Sequence, residues 1–563
     1  MTFKHLSLAL ALLLPIPVAA TAQGTEATAL PDIGSSAGEL LTPKEEEAYG
    51  GMMLKELRHY DMLVEDPLLE DYLQELGNRL ASRSDRPTQP FTFFMMRSRA
   101  INAFATIGGY IGVNAGLFLT AEREDEVAAV MSHEIAHVTQ RHVLRAVEAA
   151  KKDQLPILLG MLAAAVAASQ SGSGDGVQAA MIGGMSLMQQ RQIDYTRSNE
   201  YEADRIGINT LYRAGYDPVA MADFFGRMNR ITRTNSGGVQ APEYLRSHPV
   251  TTTRMSEATE RATRLVGEGC TSAWKPKPGD APGGEIQANC TPGTVAAAPR
   301  PFRNPLLPDY VSAALDQSTS SPSGLFDLAR ERLRVLTARA PQEASAEYLR
   351  KQRAGEMLSP AQRYGMALAL SRAGETAQAD KVLKKLAGEL PATYWLTLAQ
   401  AENEHRAGHR SAALAHYERL LVELPRNRAV SLSYATALVE LNTVEAARKA
   451  QEILRPLMDA HGGDPAFQRN FARASEIAGD TVRAGEAYAE AAWLNGNAED
   501  ALRQLQELLK NPNLDYYQRA RIDARIASIT PSALEMRRRN QRESSTQFGN
   551  VGLMPQGPSS LPK

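Results

Sequence analysis

The residues best suited to chemistry in this chain are His133-Glu134-Ile135-Ala136-His137. They lie in a stretch with strong helical character. Two histidines four apart on a helix lie about 40° from each other, on one face. Neutral imidazoles so placed can share a zinc ion. Glu134 then points beside that ion, where a carboxylate can take a proton from a bound water. With ten histidines in 563 residues, a chance HExxH has odds of roughly one in a hundred. The pattern reads as a metal-binding helix.

A zinc peptidase needs a third protein ligand and one open position for water. The third-histidine spacing of the metzincins is excluded, because the chain has Gln140 and Val143 where glycine and histidine would stand. His142 lies about 140° round a continuous helix from His137, which makes it a second-layer or surface histidine. Glu200 is the better candidate, in Arg197-Ser198-Asn199-Glu200-Tyr201-Glu202-Ala203-Asp204-Arg205. Glu200 and Asp204 are four apart and share one side of a second helix. One carboxylate can ligate while the other accepts a hydrogen bond from a ligating imidazole and fixes its tautomer. Glu202 points elsewhere and is expected to face solvent.

His133-Glu134-x-x-His137 together with Glu200-x-x-Ala203-Asp204 resembles the gluzincin peptidases related to HtpX, BepA and the CaaX-processing proteases. The resemblance implies one Zn2+ per chain held by His133, His137 and Glu200, with Glu134 as general base and Asp204 orienting the ligands. Asn102-Ala103-Phe104-Ala105, followed by Gly108-Gly109-Tyr110-Ile111, also resembles that family. Its implied role is an edge strand that lines the cleft and pairs with an extended substrate; a plain hairpin edge is the alternative. Ser247-His248-Pro249, with Arg254 six residues past the histidine, is a further match. The resemblance implies that His248 can occupy the water position as a regulatory fourth ligand and hold the enzyme latent. It implies Arg254 for an internal carboxylate or for the transition-state oxyanion. On the residues alone, His-Pro at a loop is equally a turn.

The elements that must position these residues divide the chain into zones. Residues 1–22 read as a cleavable export signal: Lys4 and His5, an apolar run from Leu6 to Leu14, then Ala20-Thr21-Ala22. Residues 23–268 mix helices with at least one strand and hold the metal motif. Residues 269–324 are rich in Pro and Gly and read as a linker. Cys270 and Cys290 fall within it, either as a disulfide, as an exported chain allows, or as two free thiols. Residues 325–535 are helical, and 536–563 are expected to be a disordered tail.

The helical zone repeats every 34 residues. Ala367, Ala401 and Ala435 are in phase, as are Gly374, Gly408 and Asn442, and Ala379, Ala413 and Ala447. Leu386, Leu420 and Leu454 also coincide, and so do Pro391 and Pro425. Small residues let paired helices approach, Gly or Asn serves the turn, and proline ends the second helix. The pattern looks like a tetratricopeptide array, an α-solenoid with a concave face that holds peptides or partner proteins.

The expected fold is therefore mainly α: an α+β gluzincin peptidase domain, with its HExxH helix and edge strand, followed by the solenoid. An exported HExxH domain followed by such repeats is the arrangement of the BepA-type proteases. It implies a periplasmic zinc endopeptidase that handles unfolded or misassembled outer-membrane β-barrel proteins, with those proteins and their assembly machinery as partners. A periplasmic chaperone or scaffold with a latched metal site is the rival. The net charge of −2 gives no long-range pull on nucleic acid, and no nucleic-acid partner is expected. The apolar arms between residues 155 and 188, with Ser171-Gly172-Ser173-Gly174 between them, read as a buried hairpin. They read equally as a lid, or as a surface that meets unfolded clients or the membrane periphery.

Overall fold

A computed structural model of the chain describes residues 41–149, 196–234, 242–272, 324–389 and 393–549. The signal segment, the 155–188 arms, Cys290 and most of the expected linker lie outside the described residues. Helix α1 (Pro43–His59) starts at a Thr42–Glu45 capping box, which satisfies two of the donors left open at a helix start. Helix α2 (Pro67–Ala81) is capped by Asp66 and begins with proline. It buries Leu69, Tyr72, Leu73, Leu76 and Leu80 at helical spacing.

Three strands follow: β1 (Thr92–Met96), β2 (Ala103–Ala105) and β3 (Tyr110–Asn114). Their order in the sheet is β1-β3-β2, with β1 parallel and β2 antiparallel to β3. Gly112 sits opposite both Phe94 and Phe104. A Cβ there would come within 2.5 Å of the Phe104 ring and 2.7 Å of the Phe94 ring. Glycine thus lets the two aromatic rings meet edge to face over the strand. β2 occupies an outer position in the sheet, as the sequence leads one to expect, and lies against the HExxH helix.

That helix, α4 (Glu124–Thr139), follows the short α3 (Ala115–Thr120). Three acids open α4 at its electropositive end, and all three are buried. Glu124 accepts from the Tyr72 and Tyr216 hydroxyls at 2.8 and 3.1 Å. Asp125 accepts from the Asp217 amide at 3.0 Å, and Glu126 pairs with Arg227 at 2.7 Å. The metal helix is thereby fixed along its axis by elements on both sides. The second metal helix covers 196–213. Helices Ala220–Thr234, Glu243–Ser247 and Thr252–Ser272 complete this part. The last of them passes the expected boundary at 268 by one turn.

The C-terminal region is a run of helix–turn–helix pairs. Helices Pro360–Arg372 and Thr376–Ala387 form one pair, Tyr394–Arg406 and Arg410–Glu423 the next, Arg428–Val439 and Val444–Leu454 a third. The in-phase alanines and leucines are all fully buried. Gly374, Gly408 and Asn442 all adopt the left-handed backbone that ends a helix, at φ of 87°, 81° and 53°. Helix Phe326–Leu336 precedes these pairs, and helices continue beyond them to Tyr516–Gly549. That last helix runs well past 535, so residues 536–549 are helical where a disordered tail was expected. Among the described residues no helix is long and apolar enough to cross a membrane.

The two halves do not hang on a tether; they share one hydrophobic core. Phe118 stacks on Phe326 at 6.2 Å, and Trp395 meets Tyr72 edge to face at 6.4 Å. Arg332, buried, grips Asp66 with two bonds of 2.9 and 2.8 Å. Arg428 gathers Glu70, Asp71 and Asp464. Removing one partner of a buried pair strands the other charge, at a cost of about 3–5 kcal/mol. Arg332→Met is accordingly expected to lower stability by about that much, read as a fall in the denaturant midpoint.

Candidate metal centre

Helix α4 presents His133 and His137 side by side, with ring centroids 4.7 Å apart and Nε2 atoms 3.0 Å apart. Glu200 faces both: Oε2 is 3.4 Å from His133 Nε2, and Oε1 is 3.4 Å from His137 Nε2. Asp204, one turn on, places Oδ1 2.9 Å from His133 Nδ1. These distances require the two helices to lie very close, and Gly207 is where they touch. A Cβ there would stand 3.1 Å from the His133 backbone. His248 closes the group from a third element, the end of helix Glu243–Ser247. Its Nδ1 lies 2.9 Å from Glu200 Oε1, and its ring stacks on the buried Tyr244 at 4.8 Å.

His133, His137, Glu200 and His248 thus offer four donor atoms within 4.8 Å of one another, enough to hold a metal ion. Two imidazoles, a third imidazole and a carboxylate are a donor set that suits zinc. Glu134 is buried beside them. Its Oε1 has no hydrogen-bond partner among the described residues and lies 3.6 Å from His248 Nε2. A carboxylate oxygen buried without a donor is costly unless something else uses it.

Arg254 supports the carboxylates. Its Nε and Nη2 donate to Asp204 at 2.6 and 2.7 Å, and its Nη1 lies 2.9 Å from Glu200 Oε2 and donates to the Pro249 carbonyl at 2.8 Å. Burial raises the Asp204 and Glu200 carboxyls. Hydrogen bonds more than offset this, from Arg254 and His133 for Asp204 and from His133, His137 and His248 for Glu200, and both groups stay ionised. Burial pulls His133 down, but hydrogen bonds to Asp204 and then Glu200 carry it up to about 10. His137, buried and beside His133, is lowered.

The edge strand and the metal group share one cavity of about 500 Å³, lined by Asn102, Phe104, Ala105, Glu134, His137 and His248 among others. Among the described residues, none of the C-terminal helices lines it. Asn102 precedes the strand proper and accepts from the Asn114 amide at 3.0 Å. Of the residues singled out in the sequence, Asn102, Phe104, Ala105, Glu134, His137 and His248 line it, while His133, Glu200, Asp204 and Arg254 stand behind His137 and His248.

Two expectations change. Glu202 does not simply face solvent; it pairs with His142 and Arg145, each at 3.1 Å. His142 does stand behind the metal group, but for a different reason. The α4 helix ends at Thr139 and Arg141 turns left-handed at φ 55°, so the angle computed for a continuous helix does not apply. Tyr244 and Gly207 carried no sequence signal, since each matters only through a contact made by folding.

A profile of peptidase family M48 matches residues 67–262. The β-barrel assembly-enhancing protease of Yersinia pestis is 30% identical over 534 residues, 94% of this chain and 96% of its own length. The chain belongs to peptidase family M48. The protein of the same name from Escherichia coli K12 is 38% identical over 266 residues, 46% of this chain and 53% of its own length. A Vibrio cholerae relative is 45% identical over 236 residues, 41% and 47% of the two lengths. The matched stretch thus spans about half the length of these last two. An M48 enzyme is a zinc-dependent metallopeptidase, and the donor set described above suits that ion.

Two outcomes follow for this M48 centre. Gly207→Leu forces a side chain into the His133 backbone and should cost roughly 1–3 kcal/mol, with loss of zinc, in melting and metal-content measurements. At neutral pH the metal-free His133 carries a proton, because its pKa is raised to about 10. Zinc must displace it, so affinity should fall up to about tenfold per pH unit on acidification. Calorimetry in buffers of different ionisation enthalpy would read the released proton directly.

Proposed function

We propose that this chain is a periplasmic endopeptidase that cleaves unfolded or misassembled outer-membrane β-barrel proteins. The observation that carries the reading is the buried Glu134 carboxylate, whose Oε1 makes no hydrogen bond among the described residues, beside three imidazoles and Glu200, in a cavity edged by β2. The relatives named β-barrel assembly-enhancing proteases support the choice of client, one of them over nearly the whole chain. The periplasmic location rests on the signal-like segment 1–22.

In this reading His133, His137 and Glu200 hold the zinc. Zinc, when bound, supplies Lewis acidity toward water and a peptide carbonyl. Glu134 takes the proton of the attacking water and passes it to the departing amine. Asp204 holds the His133 ring through Nδ1, and Arg254 holds Asp204 and Glu200. With those bonds made, Arg254 serves the internal carboxylates rather than an oxyanion. The outer edge of β2, Ala103–Ala105 with Asn102, receives the substrate as an added strand. We read the helix pairs as tetratricopeptide repeats that dock client or assembly machinery and raise its effective concentration near the cleft.

A second reading, a scaffold with a latched centre, is favoured by one observation. His248 stands close enough to be a fourth ligand, where it would fill the position water needs. Degradation of an unfolded β-barrel substrate by wild type, Glu134→Gln and His248→Ala separates the two. Glu134→Gln is expected to keep its zinc and lose at least a hundredfold in rate. His248→Ala should cleave faster than wild type if the histidine is a latch. Zinc-loaded protein that never cleaves, with either residue changed or neither, would favour the scaffold.

A further inference from the structure

His142 is buried and takes no part in the reading above, yet it touches a metal ligand. Its Nδ1 lies 2.9 Å from His137 Nδ1, and its Nε2 lies 3.1 Å from Glu202 Oε2. Arg145 Nη1 reaches the same Oε2 at 3.1 Å and also the Gln140 carbonyl at 3.4 Å, across the break in the helix. The contact between the two Nδ1 atoms holds the His137 ring from its outer side, with its Nε2 turned toward Glu200 and His133.

We infer that His142 is a positioning residue for the metal centre: the chain Arg145–Glu202–His142–His137 fixes the His137 ring with its Nε2 toward the metal group. The inference rests on His137 being a zinc ligand. Hydrogen bonds from the outer nitrogen of a ligating histidine usually end on a carboxylate or a carbonyl. Here a second imidazole is interposed, and the carboxylate is reached one residue later. The two ligating histidines are thereby set by different supports, His133 by Asp204 and Arg254, His137 by His142 and Glu202. Both Glu202 and Asp204 sit on the helix that also carries Glu200, so that helix orients each imidazole it faces. An ordinary buried histidine would satisfy its two nitrogens on any donor and acceptor. This one spends a ring nitrogen on the single outer nitrogen of a residue in the metal group.

The test uses the full chain loaded with zinc, as wild type, His142→Leu, His142→Asn and Glu202→Gln. Zinc release into excess chelator is followed with a metallochromic dye, and the visible spectrum is recorded after cobalt substitution. His142→Leu should release zinc ten- to a hundredfold faster, with shifted cobalt bands, because the His137 ring is no longer held. His142→Asn, whose amide oxygen can stand near the lost Nδ1, should restore much of the difference. Glu202→Gln, at a partly exposed position, should speed release by a smaller factor. Release and cobalt bands unchanged in His142→Leu would overturn the inference. So would equal losses in the Leu and Asn variants, since a hydrogen-bonding group at that point would then not matter. A wild type that holds no zinc at all would instead overturn the reading of the whole centre.

Discussion

The metal centre depends on how closely two helices approach at Gly207. Imidazoles and carboxylates on separate helices meet within hydrogen-bond distance only if the backbones nearly touch, and a side chain at 207 would hold them apart. That closeness carries an electrostatic cost, since it brings Glu200 and Asp204 together out of water. A single guanidinium, Arg254, offsets it by bonding Asp204 in fork geometry and lying against Glu200. The same arrangement leaves the imidazoles as the remaining partners of both carboxylates, which is why His133 holds a proton so tightly without a metal.

The position of α4 itself is set further away. Its buried N-terminal acids accept from tyrosines on α2 and on the loop after the second metal helix. Tyr72 is the shared piece: its hydroxyl bonds Glu124, and its ring meets Trp395 of the C-terminal helices. A continuous line of packed groups therefore runs from the helix pairs to the start of the metal helix.

Much of this was legible in the residues because it is periodic. Ligands four apart on a helix declare a common face, and the 34-residue phase of Ala, Leu and Gly/Asn declares stacked pairs with left-handed turns. Asn442 shows the reach of that reading, since its φ of 53° matches the glycines it aligns with. What could not be read is whatever depends on a local break or on distant pairing. The left-handed Arg141 resets the helix and turns His142 back toward His137, so its angle and the role of Glu202 were both misjudged. Arg332 and Arg428 carry no motif or spacing that marks them. Only folding brings Asp66, Glu70 and Asp71 to them, and with them the joint between the halves.

That joint changes what a domain means in this chain. Phe118, Tyr72 and Leu68 on one side and Phe326 and Trp395 on the other belong to one buried apolar cluster. Apolar contacts and buried ion pairs therefore join the peptidase part to the helices, where the residues read in order suggest two separate units.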